Sequence, residues 1–567
     1  MSENVFNDRP HKNEKDDSIA YVKILIDKAR EEARKDDIPK LEKLIQMLNT
    51  KKYGLVWEEH TEKVEEEMKT KIPVFIEDAS KKINDKPDSE DFNFLLEGDN
   101  LHSLHLLEKT HAGKIDVIYI DPPYNTGSSD WRYNNDYVDK TDEFKHSKWI
   151  SFMTSRLKIA KKLLKESGFI TVAIDEKEIH NLRHILDDIF GENNKVGMVT
   201  VLHNPKGRNQ ARYFSENSEF FLVYAANAYE ADFQKVAISD EIKETFTERD
   251  EKGAFRWENY LRARTSWSRQ NRPNNFYPIY VLDDGTLSLE KFEGATEVFP
   301  STASGDFSWK NIASTFSKLN VPNYFRAVTT ENGDIIIQHK YYEQQVFKNV
   351  WIDKKYQSEF NGTNMLKKLF DGKAPFNFSK SVYLVQDQIK MLGDKNALIL
   401  DFFAGSGTTG QAVIELNAED GGSRKFILAT NNENNIAEEV TYERMKRVST
   451  GTEKYEAHPL NLKYFKTDFV VKEEFPDISL EYELLKYVTP LVELEFGIDI
   501  TNPKVQIVLN EEQLELLINN KQLISDSTLF IHPDVFRDAE QNQILQDLQI
   551  KVQEIPNYFF GTELWTK

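Results

Sequence analysis

The chain has 567 residues, 94 acidic against 73 basic side chains, a formal net charge of −21 and no cysteine. This length exceeds one ordinary hydrophobic core, so about two to four domains are expected. Without cysteine there can be no disulfide scaffold, cysteine-based zinc site or cysteine nucleophile. The polar segment 1–18 is unlike a signal peptide, and no apolar run approaches the ~20 residues that cross a bilayer, which predicts a cytoplasmic protein without membrane association.

Residues 1–90 are predicted to form a helical, charged N-terminal region. Apolar residues recur with helical period over 19–48, and an acidic run follows at 58–67. We interpret the acidic run as a solvated helix face. The next predicted element is a strand at 93–99, which ends in a Gly-Asp pair.

The most informative pattern is the tetrapeptide Asp121-Pro122-Pro123-Tyr124, directly after the apolar strand 115–120. Ligands of open α/β sheets bind at the carboxyl ends of strands, so this is a favourable place for a site. The two prolines fix φ and remove two backbone donors, which makes the turn stiff and leaves its carbonyls pointing outward. A carboxylate, a carbonyl and an aromatic ring held in this way can grip the exocyclic amino group of a planar base while the ring stacks on its face.

Strands and helices continue to alternate as far as residue 225. The predicted helices span 149–165 and 176–190, and the predicted strands span 168–174, 196–203 and 218–225. Such alternation favours a parallel, doubly wound sheet. Residues 91–225 are therefore interpreted as the first half of that sheet.

From 226 to 370 the pattern changes to short strands, turns and many aromatic residues, which predicts an inserted mixed α+β domain. Although the whole chain is acidic, residues 249–275 contain seven basic and three acidic side chains. Local positive charge with interleaved aromatics is typical of a nucleic-acid surface, and an exposed face of a mixed domain is the alternative interpretation. The candidate nucleic-acid contacts are Arg256, Arg262, Arg264, Arg269 and Arg272.

A second ligand-binding pattern begins where the apolar strand 398–400 reaches Asp401. Phe403, Gly405, Gly407 and Thr408 follow before an amphipathic stretch at 411–416. Glycines allow a ligand to approach the backbone, and a helix N-terminus behind them favours anionic groups. The spacing matches neither the dinucleotide G-x-G-x-x-G motif nor a phosphate-binding P-loop.

Together these segments resemble the amino-group DNA methyltransferases that use S-adenosylmethionine (SAM). Asp-Pro-Pro-Tyr at 121–124 is similar to their catalytic motif, and Phe-x-Gly-x-Gly at 403–407 is similar to their SAM loop. The order, with the catalytic motif first, resembles the β group, whose fold is circularly permuted. Within that group, segments 121–127, 272–279 and 430–444 resemble the modification (Mod) subunit of type III restriction-modification systems, and the whole resemblance covers about residues 90–466.

The resemblance implies a circularly permuted Rossmann-like, SAM-dependent α/β sheet, with a target recognition domain at 226–370 and a SAM-binding half at 371–466. It implies methylation of N6 of a flipped-out adenine by Asp121, Pro122, Pro123 and Tyr124, with no metal. The implied SAM-site residues are Asp99, Phe378, Lys380, Asp401, Phe403, Gly405, Gly407, Thr408 and Glu433. The implied partners are double-stranded DNA, a second copy of the chain and an ATP-dependent restriction (Res) subunit.

Three alternatives stay open on the residues alone. The first is methylation of another amino group: cytosine N4, adenine in RNA, or a protein glutamine. The second is a non-catalytic recognition subunit that retains the fold, and the third is a self-contained restriction enzyme. Aspartate at 121 favours adenine, because N4 enzymes more often have serine there and glutamine enzymes asparagine. C5-cytosine methylation is excluded, since it requires a cysteine thiolate.

The last segment, 467–567, is predicted to be an acidic C-terminal domain for subunit contacts. Residues 468–567 contain 19 acidic and seven basic side chains, a net charge of −12. Phosphates would be repelled by this charge, so the segment is not expected to lie along DNA. Apolar stretches at 480–494, 505–509 and 558–560 are sufficient for a small core.

Overall fold

The chain forms two compact units. The larger contains residues 1–231, 351–386 and 395–567, and the smaller contains 232–350 and 387–394. The smaller unit lies mostly within the predicted insertion at 226–370. The computed structural model describes residues 14–31, 34, 37–49, 57–87, 89, 91–133, 136–139, 141–207, 213–231, 233–234, 236–237, 245–251, 253–342, 344–345, 347–475, 483–484 and 486–556.

Helices and long strands dominate the larger unit, and short strands dominate the smaller one. The helices in chain order are α1 (Glu14–Glu31), α2 (Ile38–Asn49), α3 (Lys63–Thr70), α4 (Asn100–His111), α5 (Lys145–Leu163), α6 (Ile179–Phe190), α7 (Ala313–Leu319), α8 (Asn364–Leu369), α9 (Val382–Leu392), α10 (Thr408–Asp420), α11 (Glu443–Thr450), α12 (Val488–Phe496), α13 (Glu511–Asn519) and α14 (Ala539–Asp547).

The strands in chain order are β1 (Lys71–Glu77), β2 (Ile83–Asn84), β3 (Asn93–Glu97), β4 (Ile115–Ile120), β5 (Ser128–Tyr133), β6 (Asp136–Asp139), β7 (Leu164–Ile174), β8 (Lys195–Leu202), β9 (Ser218–Ala225), β10 (Val236–Ala237), β11 (Glu248–Asp250), β12 (Gly253–Asn259), β13 (Leu261–Arg262), β14 (Ile279–Val281), β15 (Leu287–Ser288), β16 (Thr296–Val298), β17 (Ser301–Thr302), β18 (Gly305–Asp306), β19 (Ser308–Trp309), β20 (Phe325–Thr329), β21 (Ile335–Tyr342), β22 (Gln344–Gln345), β23 (Val350–Trp351), β24 (Leu398–Asp401), β25 (Lys425–Thr430), β26 (Asn461–Val471), β27 (Val505–Val508), β28 (Thr528–Ile531) and β29 (Lys551–Glu554).

A single large sheet organises the larger unit, with the order β1-β26-β3-β25-β24-β4-β7-β9-β8. Neighbours from β26 to β7 are parallel, whereas β9 runs antiparallel to both β7 and β8, and β1 runs antiparallel to β26. The α/β class and the parallel interior are therefore confirmed. The antiparallel edges differ from a uniformly parallel sheet, because β8 and β9, which only residues 203–217 separate, can pair without the crossover that parallel neighbours need.

Strand β4 lies in the interior of this sheet and is buried on both faces. Tyr119 is 2% exposed, and the other apolar residues of β4 are fully enclosed. A continuous apolar strand of this kind is what a sheet covered by helices on both sides requires. Ile399 of β24 lies opposite Val117 of β4, so the two predicted motifs are on neighbouring strands despite their distance in sequence.

The N-terminal region differs from the predicted helical segment 1–90. Helices α1 to α3 are present, but β1 and β2 then pair with β26 and belong to the large sheet. The acidic run is not uniformly solvated either. Glu62 is 5% exposed and receives a bond of 2.6 Å from Arg156. Burial raises the pKa of Glu62, and Arg156 only partly opposes this effect.

The C-terminal segment contributes to two different cores. Residues of α12, among them Val488 and Leu491, belong to the same buried cluster as Ile118 of β4. Strands β27 to β29 form a separate parallel sheet with a cluster of its own around Leu529 and Val508, while Val505 and Phe530 of the same sheet belong to the main cluster. A small C-terminal core is thus present, but α12 packs with the main sheet, and the apolar triplet 558–560 lies outside the described residues.

The smaller unit is built on the antiparallel sheet β11-β12-β21-β20. Its core is aromatic, with Tyr260, Trp309 and Phe316 each at most 1% exposed. In the part of the chain that the structure describes, no helix has the length and apolarity needed to cross a bilayer.

Candidate active site

Four neighbouring parallel strands end at one edge of the large sheet, in the order β3, β25, β24, β4. Each strand is followed by one or more of the predicted site residues: Asp99 after β3, Glu433 after β25, Gly405 after β24 and Asp121 after β4. Because adjacent strands are about 4.8 Å apart, the structure brings segments separated by hundreds of residues to one edge. This is the edge at which open α/β sheets bind ligands.

The turn after β4 is held rigidly from below. The indole Nε1 of Trp149, a fully buried residue of α5, donates to the Pro123 carbonyl at 2.7 Å. Asn125 has φ of +56° and donates to Glu178 at 2.6 Å and to the Lys145 carbonyl at 3.1 Å. The turn therefore has a fixed backbone from which Asp121 projects.

Four polar side chains meet above this turn, and we call them the Lys380 cluster: Asp121, Tyr124, Glu219 and Lys380. The Lys380 ammonium donates to Glu219 Oε2 and to the Tyr124 hydroxyl, both at 2.6 Å, and lies 3.2 Å from Asp121 Oδ1. The Tyr124 hydroxyl donates to Asp121 Oδ1 at 2.8 Å. Lys380, predicted as a SAM-site residue, is thus in direct contact with the predicted catalytic residues.

The cluster holds two carboxylates and one ammonium in a mostly buried site, in which Glu219 is 4%, Lys380 11% and Asp121 25% exposed. Burial raises the pKa of Asp121, Lys380 opposes this increase and Glu219 reinforces it. Burial alone would lower the pKa of Lys380, but Asp121 and Glu219 outweigh burial and raise it, so the ammonium remains charged. For Glu219, burial acts to raise the pKa, but Lys380 and then His203 outweigh it and the pKa is lowered.

The loop after β24 has the backbone conformation that glycine permits. Gly405 and Gly407 have φ of +48° and +77°, in the left-handed region that L side chains rarely adopt. Asp401 shapes this loop from beneath, because its carboxylate accepts from the Phe403 amide at 3.0 Å and from the Thr409 hydroxyl at 2.5 Å. Burial raises the pKa of Asp401 to about 7, against the effect of these two bonds.

A buried arginine fixes the other side of the loop. Arg444 of α11 is fully enclosed and donates to the Ser406 carbonyl at 3.0 Å and to the Thr408 hydroxyl at 2.9 Å. The Thr441 hydroxyl donates to the Gly405 carbonyl at 2.6 Å. Thr408, a predicted SAM-site residue, is therefore part of the buried support of the loop.

A second buried arginine supports the end of β3. Asp99 caps α4 by accepting from the Leu101 amide at 2.8 Å, and Arg156 lies 3.2 Å from the same carboxylate. Asn100 links this end of the sheet to the loop after β24, since its amide donates to the Phe402 carbonyl at 2.8 Å. The carboxylate of Asp99 is 35% exposed, which leaves part of it open to a ligand.

The remaining predicted cofactor residues lie at the surface of this edge. Phe378 is 77% exposed, and Glu433 is partly exposed at the start of the turn that follows β25. Phe403 is partly buried, with its ring centroid 5.8 Å from that of Phe152. Exposed rings and carboxylates beside a glycine-rich loop can contact the face of a base and the hydroxyls of a ribose.

Two of the candidate nucleic-acid contacts in the smaller unit are already paired. Arg256 lies 2.7 Å from Glu258 and stacks over the Phe246 ring, so it supports the four-stranded sheet. Arg269 pairs with Asp306 at 3.1 Å, although both side chains are exposed.

Two of the other three candidates share one aromatic support. The guanidinium carbons of Arg262 and Arg272 lie 5.0 and 4.8 Å from the centroid of the Trp267 ring. Arg264 is exposed on the same segment. Among the described residues, none of these three arginines has a carboxylate partner. Guanidinium groups without a carboxylate partner are suited to bind phosphate oxygens.

Three residues that organise the site were not predicted from the sequence: Glu219, Arg444 and Arg156. Glu219 could have been noticed as the single charge in the apolar strand β9, and Arg444 as the last residue of segment 430–444. Arg156 gives no such signal, because its bond to Glu62 joins segments 94 positions apart. All three depend on partners that only the folded chain reveals.

Comparison with known proteins agrees with this geometry. A family model described as DNA methylase matches residues 115–458. Type II methyltransferase M.KpnI from Klebsiella pneumoniae is 34% identical over 351 residues, which cover 59% of this chain and 79% of M.KpnI. The type III restriction-modification enzyme EcoPI Mod subunit of Escherichia phage P1 is 32% identical over 375 residues, which cover 59% of this chain and 57% of the Mod subunit.

The StyLTI Mod subunit of Salmonella typhimurium is also 32% identical, over 63% of this chain and 56% of that subunit. The chain thus spans little more than half the length of these Mod subunits. The crystal structure of the M1.HpyAVI-SAM complex aligns at 14% identity over 62% of this chain and 98% of that one, with a TM-score of 0.30, too low to bear on the fold. The matched family region contains both the turn after β4 and the loop after β24 and covers more than half of the chain, so the protein belongs to the N6/N4 DNA methylase family.

Proposed function

We propose that the protein transfers a methyl group from SAM to N6 of adenine at specific sites in double-stranded DNA, as the modification subunit of a type III restriction-modification system. The observation that carries the proposal is the Asp121 carboxylate, held beside Tyr124 at the end of β4, next to the glycine-rich loop at the end of β24. An amino-group acceptor and a cofactor-type loop are thereby neighbours on one edge.

The edge has the features that SAM requires. A Cβ at Gly405 would have only ordinary contacts, with Phe376 at 3.5 Å and the Phe403 carbonyl at 3.7 Å, so the backbone there is open to a ligand. Glu433 is suited to the ribose hydroxyls, and Asp99 and Phe403 to the adenine ring of the cofactor. Bound SAM would supply an electrophilic methyl group on its sulfonium sulfur.

The turn residues would align the amino group of the target base. Its lone pair is delocalised into the ring, so the nitrogen is a poor nucleophile. Asp121 and the Pro122 carbonyl would accept its two hydrogens and favour a pyramidal nitrogen, while Tyr124 stacks on the ring. Transfer would form the N6–C bond as the C–S bond breaks with its electron pair remaining on sulfur, and N6 would release one proton to the solvent.

The target base must leave the helix to reach this edge, at a cost of a few kcal/mol. Stacking on Tyr124 would offset part of it, since base–aromatic stacking is worth about 1–3 kcal/mol. The smaller unit would read the target sequence, with Arg262, Arg264, Arg269 and Arg272 contacting DNA. Arg256 is a weaker candidate, because contact with a phosphate would require it to leave Glu258.

The assignment to a type III system rests on the similarity to Mod subunits. EcoPI Mod is by name the subunit of a restriction-modification enzyme. By that similarity we infer a homodimer and a Res subunit as partners, and action in the cytoplasm. The acidic sheet β27 to β29, remote in sequence from the site motifs, is the candidate surface for these contacts.

Single-molecule sequencing of DNA from cells that express this chain tests the proposal directly. We expect N6-methyladenine within one asymmetric sequence motif, and none in cells that express Asp121→Ala. N4-methylcytosine at the motif would show that the target base is cytosine rather than adenine. The absence of any modified base in cells with soluble, folded protein would contradict the proposal. Recovery of the same motif after exchange of residues 232–350 for those of a relative would place sequence recognition elsewhere.

A further inference from the structure

Glu219 has a position that folding alone does not explain. It lies near the start of β9 with a side chain 4% exposed, and it is far in sequence from both site motifs. Its Oε2 accepts from Lys380 at 2.6 Å, whereas Oε1 is buried and has no hydrogen-bond partner among the described residues. A half-satisfied buried carboxylate destabilises a fold. Glu493 is half-satisfied in the same way but lies away from the strand ends, so the place of Glu219 beside Asp121 is what indicates a role in the site.

The position of Lys380 poses a conflict that Glu219 can resolve. The ammonium lies 3.2 Å from Asp121 Oδ1, which is an oxygen that the amino group of a base would require. If Asp121 were the only carboxylate near Lys380, the two would form a full ion pair and the base would have to break it. A second carboxylate bonded to the same ammonium prevents this pairing from becoming exclusive.

We propose that Glu219 is a positioning residue: it retains the Lys380 ammonium beside Asp121 while the amino group of the target base takes the Asp121 carboxylate. This inference rests on the proposed function. Lys380 keeps two donors engaged, on Glu219 and on the Tyr124 hydroxyl, when Asp121 releases it. The nearby ammonium then keeps Asp121 ionised in a buried site, where the carboxyl would otherwise take up a proton.

Replacement of Lys380 and replacement of Glu219 should shift the pH dependence of the rate in opposite directions. Ionised Asp121 accepts a hydrogen from the base more strongly than the neutral acid does, so the rate falls as pH drops through its pKa. Replacing Lys380 removes the cation that lowers this pKa. The acid limb of the rate profile, which is the low-pH range where the rate falls, then moves to higher pH. Replacing Glu219 removes a like charge and gives Lys380 wholly to Asp121, which moves the limb to lower pH. Tyr124 is the fourth member of the cluster, and the other titratable groups that face it are Tyr119, Asp401 and His203.

Asp401 is the group most easily confused with Asp121, since burial raises the pKa of both carboxyl groups, that of Asp401 to about 7. Burial, Thr409, the Phe403 amide and Asp121 determine that pKa, and neither Lys380 nor Glu219 contributes. An acid limb that belonged to Asp401 would therefore remain in place in both variants.

The test is the pH dependence of kcat for methylation of DNA by the full chain with SAM. We compare wild type with Glu219→Gln, Glu219→Asp and Lys380→Met, and check folding of each by urea denaturation. Glu493→Gln is the matched control, because Glu493 is also a buried partner of a lysine, Lys463, at 2.5 Å, outside this edge.

We expect Glu219→Gln to lower kcat by about 10- to 100-fold, the scale of a misplaced reacting group, and to shift the acid limb to lower pH. Lys380→Met should shift it to higher pH. Glu219→Asp should keep the wild-type limb, because the charge remains, at reduced kcat. Glu493→Gln should keep both limb and kcat.

A Glu219→Gln profile that superimposes on wild type overturns the inference, even if stability changes. So does a shift of Glu219→Gln and Lys380→Met in the same direction. If Glu219→Gln does not fold, an unchanged kcat in Glu219→Asp overturns the inference instead. A wild-type chain that forms no methylated base overturns the proposed function as well, so the two failures are distinguishable.

Discussion

Two buried lysines of the larger unit lie among carboxylates, and their surroundings differ in one respect. Lys463 of β26 is fully enclosed and lies 3.1, 2.5 and 2.9 Å from Glu77, Glu493 and Asp499. Lys380 is 11% exposed and lies between two carboxylates at the edge where the central strands end. The first lysine is surrounded by the chain itself, whereas the second faces the place where a ligand would bind.

The difference shows that a buried ion pair does not by itself indicate a function. The Lys463 carboxylates come from β1, α12 and the turn after α12, so that cluster joins the two ends of the chain to the sheet. The Lys380 cluster contains an aromatic ring and a proline-stiffened turn, and one of its carboxylate oxygens has no partner among the described residues. Incomplete pairing is common to both clusters, because Glu493 Oε2 in the Lys463 cluster also has no hydrogen-bond partner among the described residues. Position at the strand ends, beside the ring and the stiff turn, distinguishes the candidate site from the structural cluster.

The largest expected effect comes from Asp121→Ala. Methylation should fall by at least about 10²–10³-fold, the range for loss of one group that stabilises a transition state, while SAM affinity by calorimetry stays within about threefold. The effect should appear in kcat more than in KM. Activity within tenfold of wild type would contradict the assignment of Asp121.

Lys463→Met should lower the stability of the fold and leave the methylation rate unchanged, which is the converse of the result expected for Asp121→Ala. It would leave three carboxylates without their shared cation, and breaking a buried ion pair costs about 3–5 kcal/mol. Urea denaturation should show this loss of unfolding free energy, with kcat of the folded fraction unchanged. A stable variant with reduced kcat would mean that the two clusters are not functionally distinct.

The same packing limits how the C-terminal segment can be tested. Removal of residues 468–567 would take α12 from the main core and leave Lys463 without Glu493 and Asp499. Truncation after residue 503 retains these contacts and removes β27 to β29. We expect the chain truncated after residue 503 to bind SAM normally and to lose self-association in light scattering. If that chain still forms a dimer, the sheet β27 to β29 is excluded as the contact.

Gly405→Val should weaken SAM binding by at least about tenfold. The left-handed φ of +48° is strained for a β-branched residue, by about 1–3 kcal/mol, and the side chain would project into the space that a ligand uses. Gly421→Val is the matched control, since Gly421 has φ of +68° at the end of α10 and no atom within 4 Å of its Cβ. Equal affinity in both variants would show that the loop is not the cofactor site.

The smallest effect is expected for Arg264→Ala combined with Arg272→Ala. DNA affinity should fall, and its dependence on salt should flatten by about 0.9 in the logarithmic slope for each phosphate that the protein no longer neutralises. Arg256→Ala should instead lower stability, because it removes the interactions with Glu258 and Phe246. An unchanged slope in the double variant would remove these arginines from the DNA surface.

Local patterns predicted the two motifs and their strands, because a buried strand followed by a stiff or glycine-rich turn is visible within ten residues. The Lys380 cluster was not predictable in this way, since Lys380 meets Tyr124 across 256 positions and Glu219 across 161. The core that α12 joins was equally hidden, because an apolar stretch at 480–494 does not specify its partner. Contacts between distant segments decide which charges share a site.

The most direct test compares isosteric variants of the two clusters, Asp121→Asn and Glu493→Gln. The measurement is the initial rate of N6-methyladenine formation, determined by nucleoside digestion of DNA, at equal concentrations of folded protein. We expect Asp121→Asn to form almost none while Glu493→Gln matches wild type. Equal rates for the two variants, or loss of activity only in Glu493→Gln, would contradict the assignment of the Lys380 cluster as the active site.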